Sequence, residues 1–126
     1  MSYFMKKILT LFFVFFAFET MAIEKKTTFD MEIFKEAQNS GKTVVVNSWN
    51  KFCGTCALQT KIINEAKKEF PNVIFLSYEQ KHKEIAEFLN IDYWATIAVY
   101  KNNKEINRAL GITSKEDIYF LINQGV

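Results

Sequence analysis

Residues 43–56 constrain the fold more than any other part of the sequence. Residues 43–49 form a run of β-branched and apolar side chains without the alternation expected of a half-exposed strand. Such a run is typical of a strand that is covered on both faces. Cys53 and Cys56 follow after a short loop, and residues 56–70 place apolar side chains at helical spacing. The sequence therefore predicts a buried strand that leads through a C-x-x-C motif into a helix.

The rest of the sequence alternates between strand-like and helix-like segments. The order β-α-β-α-β-α-β-β-α predicts an α/β fold with a central mixed β-sheet flanked by helices on both faces. Predicted strands cover residues 27–29, 43–49, 73–76, 96–100 and 105–109, and predicted helices cover residues 31–39, 56–70, 83–89 and 115–123.

The length and charge balance narrow the class of protein. A chain of 126 residues with 24% charged residues and a formal net charge of +2 fits one globular domain. The weak net charge argues against binding nucleic acid by bulk electrostatics. We expect a monomer that does not bind nucleic acid.

The first residues have the features of an export signal. Lys6 and Lys7 precede an uncharged, apolar run that is shorter than the about 20 residues needed to span a bilayer, and Ala22 suits the position before a cleavage site. We expect residues 1–22 to be a secretory signal peptide and residues 23–126 to be the domain, in the periplasm or otherwise exported. The alternative is an uncleaved membrane anchor.

The C-x-x-C motif carries the predicted chemistry. Cys53 stands at the start of a helix, where free N–H groups and the partial positive charge stabilise a thiolate. Lys51 is expected to add a weak effect in the same direction. Cys56, deeper in the helix, is the natural resolving thiol, which releases the partner from a mixed disulfide.

Two other uses of the cysteines compete with redox chemistry. A permanent structural disulfide over so short a loop stabilises the fold little. A zinc ion needs about four ligands, but the only histidine, His82, lies far away in a polar stretch and is expected to face solvent. A metal site shared in a dimer, or a Cu(I) site with two thiolates, stays open.

Three segments resemble the thioredoxin-fold family: residues 45–56, 91–103 and 110–115. Trp49 matches the family's tryptophan near the active site, and Phe52 replaces the aromatic residue before the first cysteine. The likeness extends over residues 27–124. It implies a thioredoxin-like fold and thiol–disulfide oxidoreductase activity with Cys53 and Cys56 as catalytic residues and no organic cofactor or metal.

The sequence departs from the family's pattern opposite the cysteines. Ala95 stands where the family has a cis-proline, and Thr96 keeps the family's next residue. A cis peptide bond before a non-proline residue costs about 3–4 kcal/mol, so we expect Trp94–Ala95 to be trans. In the family this loop pairs with the substrate peptide. The candidate substrate-binding residues are therefore Phe52, Gly54, Thr55, Trp94, Ala95 and Thr96.

A second departure lies beneath the cysteines, and a third between them. Asn47 replaces the family's buried aspartate, and the partner lysine on the next strand is lost, with Leu76 nearby. An amide is no base near neutral pH, which leaves water, Tyr78 or Glu79 to assist proton transfer. Asn47, Trp49 and Lys51 are the candidate supporting residues.

Thr55 replaces a proline between the cysteines, where the family tunes its redox potential.

The C-x-x-C motif and the resemblance to the family lead to two candidate functions. The first is an exported thiol–disulfide oxidoreductase that acts on exported thiol or disulfide proteins and exchanges electrons with a membrane redox partner. The second is a binding module on the same scaffold, either a metal carrier that uses both thiolates or a client-binding factor with little turnover.

Overall fold

The computed structural model describes residues 26–126, and the predicted export signal at residues 1–22 lies outside them. In the described part of the chain, none of the helices combines the length and the apolar character that a membrane span requires. The elements follow in the order α1 (Met31–Asn39), β1 (Val44–Trp49), α2 (Gly54–Glu69), β2 (Ile74–Glu79), α3 (Lys83–Leu89), β3 (Thr96–Lys101), β4 (Lys104–Leu110) and α4 (Lys115–Asn123).

The four strands form one mixed sheet in the order β2-β1-β3-β4. β1 and β2 are parallel, whereas β3 is antiparallel to both β1 and β4. β1 is therefore an inner strand, and its six residues are all buried, as the unbroken apolar run predicts. Because β1 leads directly to the cysteines, the site is anchored in the middle of the sheet.

Helices cover both faces of the sheet, which confirms the predicted α/β architecture. On one face, α1 and α3 pack on the sheet around Phe34, Tyr78 and Tyr100. On the other face, α2 and α4 pack through aliphatic residues such as Ile63 and Ile122. The cysteine helix α2 therefore lies against one face of β1, and successive β1 side chains point to opposite cores.

Local sequence signals explain where several elements begin and turn. The Asp30 carboxylate caps α1 by accepting from the backbone N–H of Glu32, 2.9 Å away. The Ser114 hydroxyl caps α4 in the same way. Asn102 and Asn103 have φ values of 54° and 63° in the β3–β4 turn, a conformation that asparagine tolerates better than most residues.

The strand predicted at residues 27–29 is wrong. This segment follows the edge of β2, but threonine side chains take over part of the pairing. The backbone N–H groups of Thr28 and Phe29 both donate to Ser77 O, and the Thr28 hydroxyl accepts from Ser77 N at 2.9 Å. Threonine side chains offer the backbone this alternative to a ladder, so the segment binds the sheet edge without becoming a fifth strand.

Candidate active site

The loop between β1 and α2 is shaped by Asn50. Its side-chain oxygen accepts from Phe52 N at 3.0 Å, and its carbonyl accepts from Cys53 N at 3.2 Å. The side chain thus closes an Asx turn that brings the chain from the strand to the helix start. This role was not predicted from the sequence, although an asparagine between a strand and a helix is a recognisable turn signal.

Cys53 and Cys56 form a disulfide at the N-terminus of α2, with Cα atoms 5.2 Å apart. Cys53 is the N-cap residue, and its Sγ accepts from the backbone N–H of Cys56 at 3.0 Å. When the pair is reduced, this N–H and the helix dipole stabilise a thiolate on Cys53. The helix begins at Gly54 rather than at the predicted Cys56, which puts Cys53 at the cap.

The two sulfurs differ in exposure. Cys53 is 8% exposed and Cys56 is 1% exposed, and the Cys56 Sγ lies 4.0 Å from Ser48 O on β1. A substrate therefore reaches Cys53 more easily, while Cys56 stands on the inner side of the pair. Lys51 is exposed in the adjoining loop, where solvent screens its charge.

Residues 93–96, called the facing loop below, lie opposite the cysteines. Ala95 is buried in a small cluster with Trp49, Cys53 and Cys56. The described residues contain no cis peptide bond, so Trp94–Ala95 is trans, as predicted. Ala95 nevertheless has a φ of 61°, a left-handed conformation that costs a residue with a Cβ about 1–2 kcal/mol. Other contacts must hold it there.

Ser48 supplies three of those contacts. It is fully buried on β1, and its hydroxyl donates to Tyr93 O at 2.9 Å and accepts from Thr96 N at 3.2 Å. Its carbonyl accepts from Ala95 N at 3.0 Å. Ser48 was not among the predicted site residues, although a hydroxyl inside a buried apolar run needs hydrogen-bond partners.

Gln59, one turn after Cys56 on α2, holds the facing loop from the helix. It is 1% exposed, and its Nε2 donates to Ala95 O at 3.1 Å and to Ile112 O at 2.9 Å. The Ala95 carbonyl also accepts from Gly111 N at 2.9 Å. Gln59 therefore links the cysteine helix to the facing loop. Gln59 was not among the predicted site residues, because a glutamine in a helical segment resembles a surface residue.

The predicted substrate-binding residues divide into exposed and buried groups. Phe52 is 93% exposed and Trp94 is 50% exposed. Gly54 is also exposed and Thr55 is half-buried. Thr96 is buried, and its hydroxyl donates to Tyr93 O at 2.7 Å. Of these residues, Ala95 shares a buried cluster with the cysteines, and the role of all six in substrate binding stays a prediction.

Asn47 is buried on β1, and its direct neighbour on β2 is Ser77. Leu76 belongs to the core on the opposite face, with α1 and α3. Both side chains of this cross-strand pair are neutral, so neither leaves a buried ion without a counter-charge.

Tyr78 and Glu79 are the other residues that the sequence offered for proton transfer. Tyr78 lies in the core opposite α2, and its hydroxyl donates to the side chain of Gln80. Burial raises the pKa of Tyr78, so this phenol does not act as a base near neutral pH. Glu79 is buried beside the end of β1 and pairs with Lys81, whose Nζ lies 3.0 Å from its carboxylate.

Metal ligands other than the two cysteines do not gather at the site. Among residues 26–126, no group of three or more His, Cys, Asp or Glu side chains is placed to hold a metal ion. His82 is exposed at the start of α3, as predicted.

Comparisons with known proteins identify the family to which such a cysteine pair and fold correspond. The family model described as Thioredoxin matches residues 20–124. The thioredoxin of Mycoplasma genitalium is 33% identical over 90 residues, which cover 71% of this chain and 88% of that protein. A thioredoxin H-type of Oryza sativa subsp. indica is 29% identical over 99 residues, covering 78% and 80% of the two chains.

Solved structures share the fold. The structure of Trxlp from Edwardsiella tarda superposes with a TM-score of 0.70 at 21% identity, covering 75% of this chain and 95% of that one. Fasciola hepatica thioredoxin gives a TM-score of 0.66 at 22% identity, covering 75% and 91%.

Proposed function

The chain belongs to the thioredoxin family and is a thiol–disulfide oxidoreductase, and we propose that it works outside the cytoplasm with Cys53 as the attacking cysteine and Cys56 as the resolving cysteine. Proteins of this family act on protein thiols and disulfides. The observation that carries the assignment of roles is the asymmetry of the pair. The more exposed sulfur caps the helix and accepts an N–H, while the other sulfur is buried behind it.

The exchange then follows in two steps. The Cys53 thiolate attacks one sulfur of a substrate disulfide, the substrate S–S bond breaks, and one substrate thiolate leaves and takes up a proton from water. Cys56 then loses its proton and attacks the Cys53 sulfur of the mixed disulfide. The Cys53–Cys56 disulfide forms, the second substrate thiolate leaves, and it takes up the proton. Two electrons pass from the cysteine pair to the substrate, and the reverse sequence oxidises a substrate dithiol.

Trapping the intermediate tests the assignment of roles. In Cys56→Ala the first step still occurs, but nothing resolves the product, so we expect a stable covalent complex with a disulfide-containing protein. Cys53→Ala should form no complex under the same conditions. A complex that forms only in Cys53→Ala would reverse the two roles, and the absence of any complex at every redox poise would contradict the mechanism.

The proposed location rests on the pattern of residues 1–22. Lysines, an apolar run and a small residue at Ala22 fit an export signal, and a disulfide at the active site is compatible with an oxidising compartment. Fractionation of cells that express the full chain, followed by N-terminal sequencing, tests it. Recovery from the periplasm with Ile23 as the first residue supports cleavage. Recovery from the membrane with residue 1 intact supports the anchor, and recovery from the cytoplasm contradicts export.

A membrane redox partner is part of the same proposal, because an exported dithiol has to exchange electrons with something that restores it after each cycle. If the chain is exported, Cys56→Ala expressed in cells should form a reducible covalent complex in the membrane fraction. We further propose that the protein is a monomer, which light scattering of the purified chain tests. A membrane fraction free of complexes would contradict the membrane partner while leaving the exchange activity intact.

A further inference from the structure

The exchange steps use the two cysteines but none of the buried polar groups that hold the facing loop. We propose that Ser48 and Gln59 are positioning residues for thiol–disulfide exchange with peptide substrates, because they hold Ala95 over the cysteine pair in its left-handed, trans conformation. The inference depends on the exchange activity of the chain and not on its export.

Ser48 fixes the loop from the sheet. A left-handed alanine is unfavourable on its own, so the loop adopts this shape only where its surroundings determine it. The Ser48 carbonyl holds the Ala95 N–H, and its hydroxyl holds Tyr93 O and Thr96 N on either side. A proline at position 95 would fix φ covalently but could not donate to Ser48. The hydrogen bonds of Ser48 therefore restrain the backbone at this position in place of a ring.

Gln59 fixes the same loop from the cysteine helix. Its Nε2 makes two donations to backbone carbonyls, and its Oε1 is buried with no hydrogen-bond partner within the described part of the chain. A buried, unsatisfied oxygen destabilises the fold, and an apolar side chain of similar size would avoid that penalty. What Gln59 adds is therefore the connection between α2 and the carbonyl of Ala95.

The position of the loop decides how a peptide approaches Cys53. Ala95 lies in one buried cluster with Trp49 and both cysteines, and the neighbouring Trp94 and Tyr93 are exposed. A peptide disulfide has to lie across this surface while Cys53 attacks. A small disulfide such as oxidised glutathione has little chain to place there. Displacement of the loop should therefore affect peptide substrates more than small ones.

The experiment compares Ser48→Ala and Gln59→Met with the wild type in steady-state exchange, using a disulfide-bridged peptide and oxidised glutathione. Each variant removes two side-chain hydrogen bonds, and the loss of a single one corresponds to about a five-fold change in an equilibrium constant. We expect each variant to raise the KM for the peptide by about five-fold or more, with kcat and the rate with glutathione nearly unchanged.

Matched controls separate positioning from a general loss of stability. Gln38 is another buried glutamine with hydrogen bonds to backbone, but it holds Lys42 and the β3–β4 turn. Thr43 precedes β1 at its opposite end, and its hydroxyl donates to Gly125 O. Gln38→Met and Thr43→Val should lower the melting temperature without changing the KM for the peptide.

A rescue variant adds a signature that a purely structural role lacks. Ala95→Gly removes the steric penalty of the left-handed conformation, so adding it to Ser48→Ala should bring the raised KM for the peptide part of the way back to the wild-type value. Three outcomes would each overturn the proposal. They are an unchanged peptide KM in folded Ser48→Ala, an equal impairment of exchange with oxidised glutathione, and the same change of the peptide KM in Gln38→Met. Ser48→Ala removes a single oxygen, so it serves as the deciding variant if Gln59→Met fails to fold. The exchange rate of the wild type is compared with that of Cys53→Ser. If the two rates are equal, the proposed exchange activity itself fails, and this failure is distinguished from a failure of the positioning role.

Discussion

The cysteine loop and the facing loop meet at the same site, but they obtain their geometry in different ways. The cysteine loop relies on local interactions: Asn50 closes the turn, and Cys53 caps the helix that carries Cys56. The facing loop relies on partners far away in sequence, Ser48 on β1 and Gln59 on α2. The geometry of the cysteine loop can therefore be predicted from residues adjacent in sequence, whereas the geometry of the facing loop depends on the tertiary fold.

The largest contrast should come from changing one residue in each loop. Cys53→Ser removes the attacking thiolate, and we expect it to abolish exchange with any disulfide. Ala95→Gly removes only a methyl group at a position whose φ glycine adopts readily, so it should keep most of the activity. Thiol counting after incubation with a disulfide substrate measures both. Comparable losses in the two variants would contradict the division of roles between the loops.

Restoring the family's proline tests the facing loop directly. Ala95→Pro removes the N–H that binds Ser48 O, and the ring cannot adopt a φ of 61°. We expect the free energy of unfolding to fall by about 2 kcal/mol or more, as measured by urea denaturation. A variant as stable as the wild type would mean that the loop readily takes the family's conformation, and that the hydrogen bonds of Ser48 are not decisive.

Restoring the family's aspartate tests the other side of the site. Asn47→Asp introduces a buried carboxyl whose direct neighbour on β2 is the uncharged Ser77. Desolvation raises the pKa of such a carboxyl above its unfolded value. Relative to the wild type, the variant is therefore most stable at low pH. It loses stability as the pH rises through the folded pKa, by about 1.4 kcal/mol for each unit by which the folded pKa exceeds the unfolded one. Urea denaturation at pH 5 and pH 8 measures this, and equal losses at both would contradict it.

The smallest effect concerns the support beneath the facing loop. The Tyr78 hydroxyl donates to Gln80, whose side chain donates to Ile91 O just before the loop. Because burial raises the pKa of Tyr78, the unfolded chain loses this proton first as the pH rises, and stability should fall above about pH 10. Tyr78→Phe should reduce that fall between pH 9 and 11. An unaltered pH profile would show that Tyr78 does not contribute to it.

The distinction between local and long-range interactions also explains which features could be predicted from the sequence. The β1 run, the hairpin asparagines and the C-x-x-C motif are local patterns, and they predicted the buried strand β1, the β3–β4 turn and the cysteine pair correctly. The strand at residues 27–29 failed because Thr28 pairs with Ser77 through its side chain, which depends on where the sheet edge lies. Ser48 and Gln59 were missed for a related reason, since their partners near Ala95 become neighbours only in the folded chain.

The central claim is that long-range hydrogen bonds fix the facing loop, and amide hydrogen exchange at Ala95 tests it most directly. The Ala95 N–H donates to Ser48 O inside the fold, whereas the Phe52 N–H donates to Asn50 in an exposed turn. We predict that Ala95 exchanges as slowly as the amides of β3 and that Phe52 exchanges far faster. Ser48→Ala keeps the carbonyl that binds the Ala95 N–H but removes the hydroxyl that binds the Thr96 N–H. It should therefore remove most of the protection at Thr96 and part of the protection at Ala95. Exchange at Ala95 as fast as at Phe52 in the wild type would contradict the account.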